Sequence, residues 1–194
     1  MQKTLKQIIA ESRILKAVIV FFVSYIVLSV VWLQIQHVYA SGIVFVASKF
    51  IAELKDARIV EITKQSNLII STFSYVNRGK LVLVDVQHKM LGFAFTVPMI
   101  ISILASLYPF LKRRKRAYAE ALILLLLFHF LYVFFRGMFQ LTNIFMIRGI
   151  EAESVFRLAL YEFLSAVTSY AAISFAPFLI VIYIFVRFRK KPVS

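Results

Sequence analysis

Two ionisable residues interrupt an otherwise apolar segment and are the first candidates for chemistry. His129 lies in a run of Leu, Phe and Tyr side chains, and Arg136 follows two helical turns later. Ionisable groups at membrane depth are costly and commonly mark ion or proton paths, so the pair could line such a path. The alternative is that His129 hydrogen-bonds a neighbouring helix and that Arg136 extends its cation to the membrane surface.

A second pair, Asp85 and His88, lies three residues apart where a strand-like run meets an apolar segment. This carboxylate and imidazole could belong to an external site, or could form with Lys89 a cluster that ends the strand and anchors a helix. The sequence contains no His-Glu-x-x-His, P-loop, Gly-x-Ser-x-Gly or dinucleotide-binding pattern, and it has no cysteine. We therefore predict no catalytic residue, no metal site, no cofactor and no enzymatic activity. An enzyme acting around Asp85 and His88 is the minor alternative.

The composition indicates the solvent in which these residues lie. Of 194 residues, 61% are hydrophobic and 16% are charged, and the mean hydropathy is +0.85. Soluble domains contain roughly 45–50% apolar and about 25% charged residues. A soluble globule of this length could not bury so much apolar surface, and a disordered chain would not contain it. The sequence therefore predicts a single domain, residues 1–194, embedded in a lipid bilayer.

Four apolar segments approach or exceed the roughly 20 residues that a spanning helix needs. Continuous apolar runs indicate helices, since a helix satisfies its own backbone in lipid. The first run is longer than the 7–15 residues of a signal-peptide core, so we interpret it as an uncleaved anchor. The predicted transmembrane helices are residues 17–35, 91–111, 118–136 and 165–187.

The basic residues orient these spans. Thirteen of the 23 Lys and Arg side chains lie in three short segments: before the first span, between the second and third, and after the fourth. The positive-inside rule places these segments, and hence both termini, in the cytoplasm. Membrane topology accounts for the basic clusters and so for the net charge of +14. We therefore expect no nucleic-acid partner. We expect a multi-pass protein of the inner (plasma) membrane whose partners are membrane lipids and other integral membrane proteins.

The segments between spans are predicted to be extracytoplasmic. Residues 36–90 begin with an amphipathic helix over Ile43–Leu54, which either lies at the membrane surface or continues the first span. A small antiparallel sheet follows, with strands over 58–63, 68–76 and 80–86, because β-rich runs flank an Asn77-Arg78-Gly79 turn. Residues 137–164 are predicted to be a helical loop with a helix from Ile150, and the sequence leaves open whether this helix runs into the last span.

A sheet this small is marginal alone, and its edges expose unpaired backbone groups. We therefore expect a partner or the adjacent external helix to cover it. An edge strand could also add to a partner's sheet. Proline at Leu83 is expected to break the sheet. The candidate docking residues are Leu81, Leu83, Phe73 and Tyr75.

The order of these features resembles the small membrane proteins of exosortase systems, notably the exosortase H-associated family. The resemblance covers about Leu28 to Lys190 and includes the stretch Gly79–Val86, GKLVLVDV. Proteins of this kind are thought to accompany a multi-spanning cysteine transpeptidase that processes proteins with a C-terminal sorting signal. The resemblance implies an accessory role and brings no catalytic residues, and the lack of cysteine excludes the transpeptidase itself.

The sequence thus predicts an all-α membrane protein with four transmembrane helices and a small extracytoplasmic α+β insertion, built on a β-hairpin, between the first two. The predicted function is a non-enzymatic accessory or scaffold subunit of a bacterial or archaeal membrane complex that assists an exosortase-type transpeptidase. The alternatives are a small transporter or channel component, with His129 and Arg136 on its path, or an accessory subunit of another membrane complex.

Overall fold

The computed structural model describes residues 5–77, 79–89, 95–111, 114–150 and 154–188. The helices are α1 (Leu5–Leu54), α2 (Thr96–Leu107), α3 (Arg114–Ile147), α4 (Val155–Tyr170) and α5 (Ala176–Phe188). The strands are β1 (Arg58–Gln65), β2 (Leu68–Asn77) and β3 (Lys80–Lys89). The predicted combination of apolar helices and one small antiparallel sheet is confirmed.

Three helices are long and apolar enough to cross a membrane: Ile14–Leu54, Lys115–Ile147 and Val155–Phe188. Their 41, 33 and 34 residues correspond to roughly 62, 50 and 51 Å at 1.5 Å per residue. A hydrocarbon core is only about 30 Å thick. Each helix can therefore cross a bilayer and still extend well beyond it, which leaves helical length to support the sheet.

The helix expected over 91–111 is shorter than predicted. Its apolar helical part is Thr96–Phe110, roughly 22 Å of helix, and residues 91–94 lie outside the described part of the chain. Pro98 lies in the first turn of α2, where a missing N–H removes no helical bond. Pro109 lies in a 3₁₀ turn, Tyr108–Phe110, that ends the helix. The expectation of four full-length spans therefore reduces to three long helices and one short one.

The segment expected to be an interfacial helix is the end of α1. The chain remains helical through Ser41 and Gly42, so Ile43–Leu54 continues the first span. A Cβ built on Gly42 would meet no atom within 4 Å, so close packing does not require glycine at this position. This outcome is the continuation that the sequence left open.

The last helix also runs on, through a single π-helical turn. Ser154 begins α4 by accepting a hydrogen bond from the Arg157 N–H at 3.2 Å. The π turn Ala171–Phe175 joins α4 to α5, and Pro177 is the second residue of α5. A proline ring clashes with the carbonyl four residues earlier in an α-helix, and a π turn widens the ladder at that point. The helix expected from Ile150 begins instead at Val155, and residues 151–153 are not described.

The sheet has the order β1-β2-β3, and both neighbouring pairs are antiparallel. Pairing of β2 with β3 extends from Leu68 with Lys89 to Asn77 with Lys80, so the hairpin turn is tighter than predicted. Gly79 has φ +77° in this turn, a conformation that glycine adopts without strain. β1 carries an irregularity between Ile59 and Glu61, a feature that commonly blunts an edge strand.

The sheet lies against the parts of α1 and α3 that extend beyond the span length. Phe73 and Val86 pack with Ile51 of α1 and with Phe145 of α3 in one buried cluster. Ser48 of α1 shares a buried 2.9 Å hydrogen bond with Ser71 of β2. The adjacent helix therefore provides the cover that the sequence required for one face of the sheet.

Candidate functional site

The outer edge of β3 is bonded by two polar side chains, Gln140 of α3 and Arg148 of the turn that follows α3. Gln140 Nε2 donates to the Gln87 carbonyl at 2.9 Å, and the Gln87 N–H donates to Gln140 Oε1 at 3.0 Å. Arg148 Nη1 donates to the Leu83 carbonyl at 3.0 Å. At these positions β3 is therefore not free to extend a partner's sheet, and the expectation of an open edge strand is wrong for β3.

His129 is fully buried where α1, α2 and α3 meet. Its Nδ1 lies 2.8 Å from the Tyr39 hydroxyl, and its Nε2 lies 3.0 Å from Thr96 Oγ1. A neutral imidazole donates through one nitrogen and accepts through the other, and a hydroxyl can take either role. Both ring nitrogens are thus satisfied by neighbouring helices, as the interhelical alternative predicts.

Asp85 and His88 do not form a joint site. β3 extends to Lys89, beyond the predicted end at Val86, and residues three apart on a strand point to opposite faces. Asp85 is exposed and accepts a 2.7 Å hydrogen bond from Thr72 Oγ1. His88 is 3% exposed on the inner face. The alternative that places both residues in one external site is not supported, because β3 continues through both and directs them to opposite faces.

His88 lies in a tight environment between the sheet and α3. Its Nε2 is buried and has no hydrogen-bond partner among the described residues. A Cβ built on Gly137 would lie 3.3 Å from His88 Cε1 and 2.5 Å from Ile51 Cδ1, so the lack of a side chain at Gly137 permits this close packing. Burial lowers the pKa of His88 to about 4, and the charge of Arg136 contributes in the same direction.

Arg136 is exposed and opens onto a cleft between the lower end of the sheet, α3 and the π turn. This Arg136 cleft has a volume of about 430 Å³. His129 is not among its lining residues, so the two residues proposed for one path lie in different surroundings. The polar side chains that line the Arg136 cleft are Gln87, Lys89, Tyr132, Arg136, Gln140 and Ser169.

The four candidate docking residues divide between the two faces of the sheet. Phe73 is fully buried, and the Tyr75 ring lies 5.0 Å from the Phe145 ring. These two face the chain's own helices, so their assignment to a docking surface is wrong. Leu81 and Leu83 are 67% and 52% exposed on the outer face, where Val76 pairs with Leu81. We call Val76, Leu81 and Leu83 the outer patch.

Comparison of the chain with protein families, curated proteins and solved structures gives no match. Within the described ranges, no three His, Asp or Glu side chains lie together as a metal site would require. The site must therefore be interpreted from its own geometry.

Sequence reasoning missed the residues that attach the sheet to the helices. Gln140 and Arg148 lie in a segment predicted to be an external helical loop, and Gly137 was not singled out. The available signal was the polar amide of Gln140, which lies in an otherwise apolar run from Gly137 to Leu141. Its partner is a backbone group 53 residues away, which no local pattern specifies.

Proposed function

We propose that this chain is a non-enzymatic accessory subunit that holds a small sheet at the membrane surface for a partner membrane protein. The observation that carries the proposal is the outer patch, three exposed apolar side chains on a sheet whose other face is buried. Scattered exposed apolar residues are ordinary, whereas neighbouring ones on a fixed surface favour an interaction site.

The sheet is suited to this role because its position is fixed from two sides. The Ser48–Ser71 hydrogen bond attaches β2 to α1, and Gln140 attaches β3 to α3. A recognition surface held by packed elements loses little conformational freedom when a partner binds. The arrangement therefore supports a scaffold rather than a mobile arm.

The proposed partner is an integral membrane protein of exosortase type. This choice follows the resemblance in segment order, together with the lack of cysteine in this chain. The transport alternative needs His129 and Arg136 along one path, and their separate surroundings weigh against it. The enzyme alternative needs Asp85 and His88 on one face, and their opposite orientation weighs against that as well.

Co-purification from native membranes in mild detergent tests the proposal. The double variant Leu81→Glu with Leu83→Glu places charge in the outer patch, and it should lose the exosortase-type protein from the eluted complex. Val60→Glu is the matched control, because Val60 is 56% exposed on the opposite edge strand. If the double variant retains the fold of the sheet and still co-purifies with the exosortase-type protein, the outer patch is not the docking surface.

Cysteine labelling tests the accompanying topology, in which the sheet is extracytoplasmic and both termini are cytoplasmic. The chain has no native cysteine, so each introduced thiol reports alone. Asn67→Cys, in the turn after β1, should react with an impermeant reagent in intact cells. Lys115→Cys, near the start of α3, should react only after the cells are opened. The reverse pattern would overturn the orientation.

A further inference from the structure

The Arg136 cleft contains cations without a matching acid. Arg136 and Lys89 are both exposed and both line it, and none of its lining residues is an Asp or Glu. Arg136 also forms no ion pair with any side chain in the described ranges. A concave site with two uncompensated cations attracts anions.

The position of the cleft relative to the membrane follows from an ion pair at the opposite end of the helices. Arg187 Nε lies 3.5 Å from Glu120 Oε2, so these two residues mark one level. Arg136 is sixteen residues beyond Glu120 on α3. The π turn begins at Ala171, sixteen residues before Arg187. Both separations correspond to roughly 24 Å of helix.

A hydrocarbon core is about 30 Å thick. The two charged levels are roughly 24 Å apart along the helices. Arg and Lys side chains extend from the backbone toward the headgroups. Their charges therefore reach the two boundaries of the core even though their backbones lie slightly inside it. The Glu120–Arg187 pair thus marks one boundary and the Arg136 cleft marks the other. Phosphate groups of lipids lie at that depth.

The side chains suit a phosphate group in particular. A guanidinium donates two parallel hydrogen bonds to phosphate oxygens, and an ammonium adds a point charge. The hydroxyl of Ser169 also lines the cleft and can donate a further bond.

The helix on the far wall of the cleft has an unusual backbone. Ile173, which lines the cleft, lies in the π turn Ala171–Phe175. Single π turns in long helices are frequent at functional sites. This feature is independent of the charges.

We propose that the Arg136 cleft binds a phosphate-type anion at the membrane boundary, carried by the headgroup of an anionic phospholipid or by a free phosphate. Arg136 provides the bidentate contact, Lys89 the second charge and Ser169 a neutral donor. The proposal is independent of the accessory role, because it concerns a different surface from the outer patch.

Binding to the purified full-length chain in detergent tests this. Three probes separate the sources of the anion: phosphatidylglycerol, inorganic phosphate, and dioleoylglycerol as a neutral lipid. Arg136→Gln should weaken binding of the anionic probe at least tenfold. Arg58→Gln removes the same charge from the exposed start of β1, and should leave binding unchanged. Lys89→Gln is a second variant, to be used if Arg136→Gln does not fold.

The outcomes decide between sources and against the site. Arg136-dependent binding of phosphatidylglycerol alone identifies a lipid headgroup, and Arg136-dependent binding of inorganic phosphate identifies a soluble anion as well. If Arg136→Gln and Arg58→Gln weaken binding of the anionic probe equally, the probe is attracted only by the overall net charge of the chain, which is +14. That result, equal affinity for dioleoylglycerol, or no binding of either anion would overturn the proposal.

Discussion

The side-chain amide of Gln140 occupies the position of a neighbouring strand for Gln87, because it bonds both the N–H and the carbonyl of that residue. Arg148 repeats part of this contact at Leu83. Arg148, in the turn directly after α3, is eight residues beyond Gln140, about 12 Å at the helical rise, and four residues of strand separate Gln87 from Leu83, about 13 Å. The matching distances allow α3 to run along β3 and cover its edge.

Removing the Gln140 amide should open this edge locally. In Gln140→Leu the Gln87 N–H and carbonyl lose their partner, and because the position is exposed, water replaces it at a cost of less than about 1 kcal/mol. Hydrogen exchange should accelerate at Gln87 and leave the amides shared by β2 and β3 protected. Thr63→Leu on the far strand is a control of similar size. Unchanged exchange at Gln87 would contradict the role given to Gln140.

The same contacts change the expected effect of proline in β3. In an antiparallel strand the N–H and carbonyl of one residue point to the same side, and the side alternates along the strand. The Leu83 carbonyl faces Arg148, so the backbone groups of Leu83 point away from β2 and those of Val82 point toward it. Leu83→Pro therefore removes no bond between β2 and β3, contrary to the expectation from sequence.

Val82→Pro should be the disruptive variant of this pair. It removes a ladder hydrogen bond and leaves a group on β2 unpaired, at a cost of about 1–3 kcal/mol. The free energy of unfolding in detergent should fall more for Val82→Pro than for Leu83→Pro. The opposite ranking would show that the backbone of Leu83 faces β2.

Much of the fold follows from local patterns in the sequence. The strand-forming runs before and after the turn at Gly79 predict β2 and β3, and the long apolar runs predict the helices. The ends of the elements are less predictable, because tertiary contacts set them. β3 extends past Val86 since the edge bonds of Gln87 and the burial of His88 stabilise three more extended residues.

The candidate site was less predictable than the fold. The spacing of Asp85 and His88 allows a joint site as one alternative, yet the length of β3 decides which face of the sheet each residue occupies. The interhelical role of His129 was among the sequence alternatives, but its partners Tyr39 and Thr96 are 90 and 33 residues away. The Arg136 cleft depends on three separate elements, so spacing along the chain does not indicate it.

The hydrogen bonds of His129 make a measurable prediction. If His129 only filled space between helices, His129→Phe would be nearly neutral. The structure implies that this variant removes one partner from both the Tyr39 and the Thr96 hydroxyls. Interhelical hydrogen bonds in membranes contribute about 0.6 kcal/mol each, with a maximum near 1.7, so His129→Phe should lower the free energy of unfolding by roughly 1 kcal/mol.

A double-mutant cycle separates these bonds from packing. Thr96→Val removes the hydroxyl that bonds His129. In the His129→Phe background this bond is already absent, so Thr96→Val should lower the free energy of unfolding less there than in the wild type. A coupling of about 0.5–1.5 kcal/mol is expected from unfolding in mixed micelles. Fully additive effects would mean that His129 and Thr96 are not energetically linked.

The last prediction concerns pH and His88. Burial, with a contribution from Arg136, lowers the pKa of folded His88 to about 4 from the ordinary 6.5. Between these values the unfolded chain binds more protons than the folded chain, so the free energy of unfolding rises with pH across this window. Above pH 6.5 the contribution of His88 is constant. At pH 5 the free energy of unfolding should be about 2 kcal/mol lower than above pH 6.5 because of this residue.

Thermal unfolding in detergent at pH 7.5 and pH 5 measures the effect. His88→Leu removes the titrating group from the buried position and should flatten the dependence of the melting temperature on pH. His37→Leu removes a histidine from α1 and controls for the loss of an imidazole elsewhere. Because His88 Nε2 has no hydrogen-bond partner among the described residues, His88→Leu breaks no described bond at that nitrogen. If His88→Leu keeps the wild-type decline between pH 7.5 and pH 5, the loss of stability in acid arises from other groups and His88 is not buried as described.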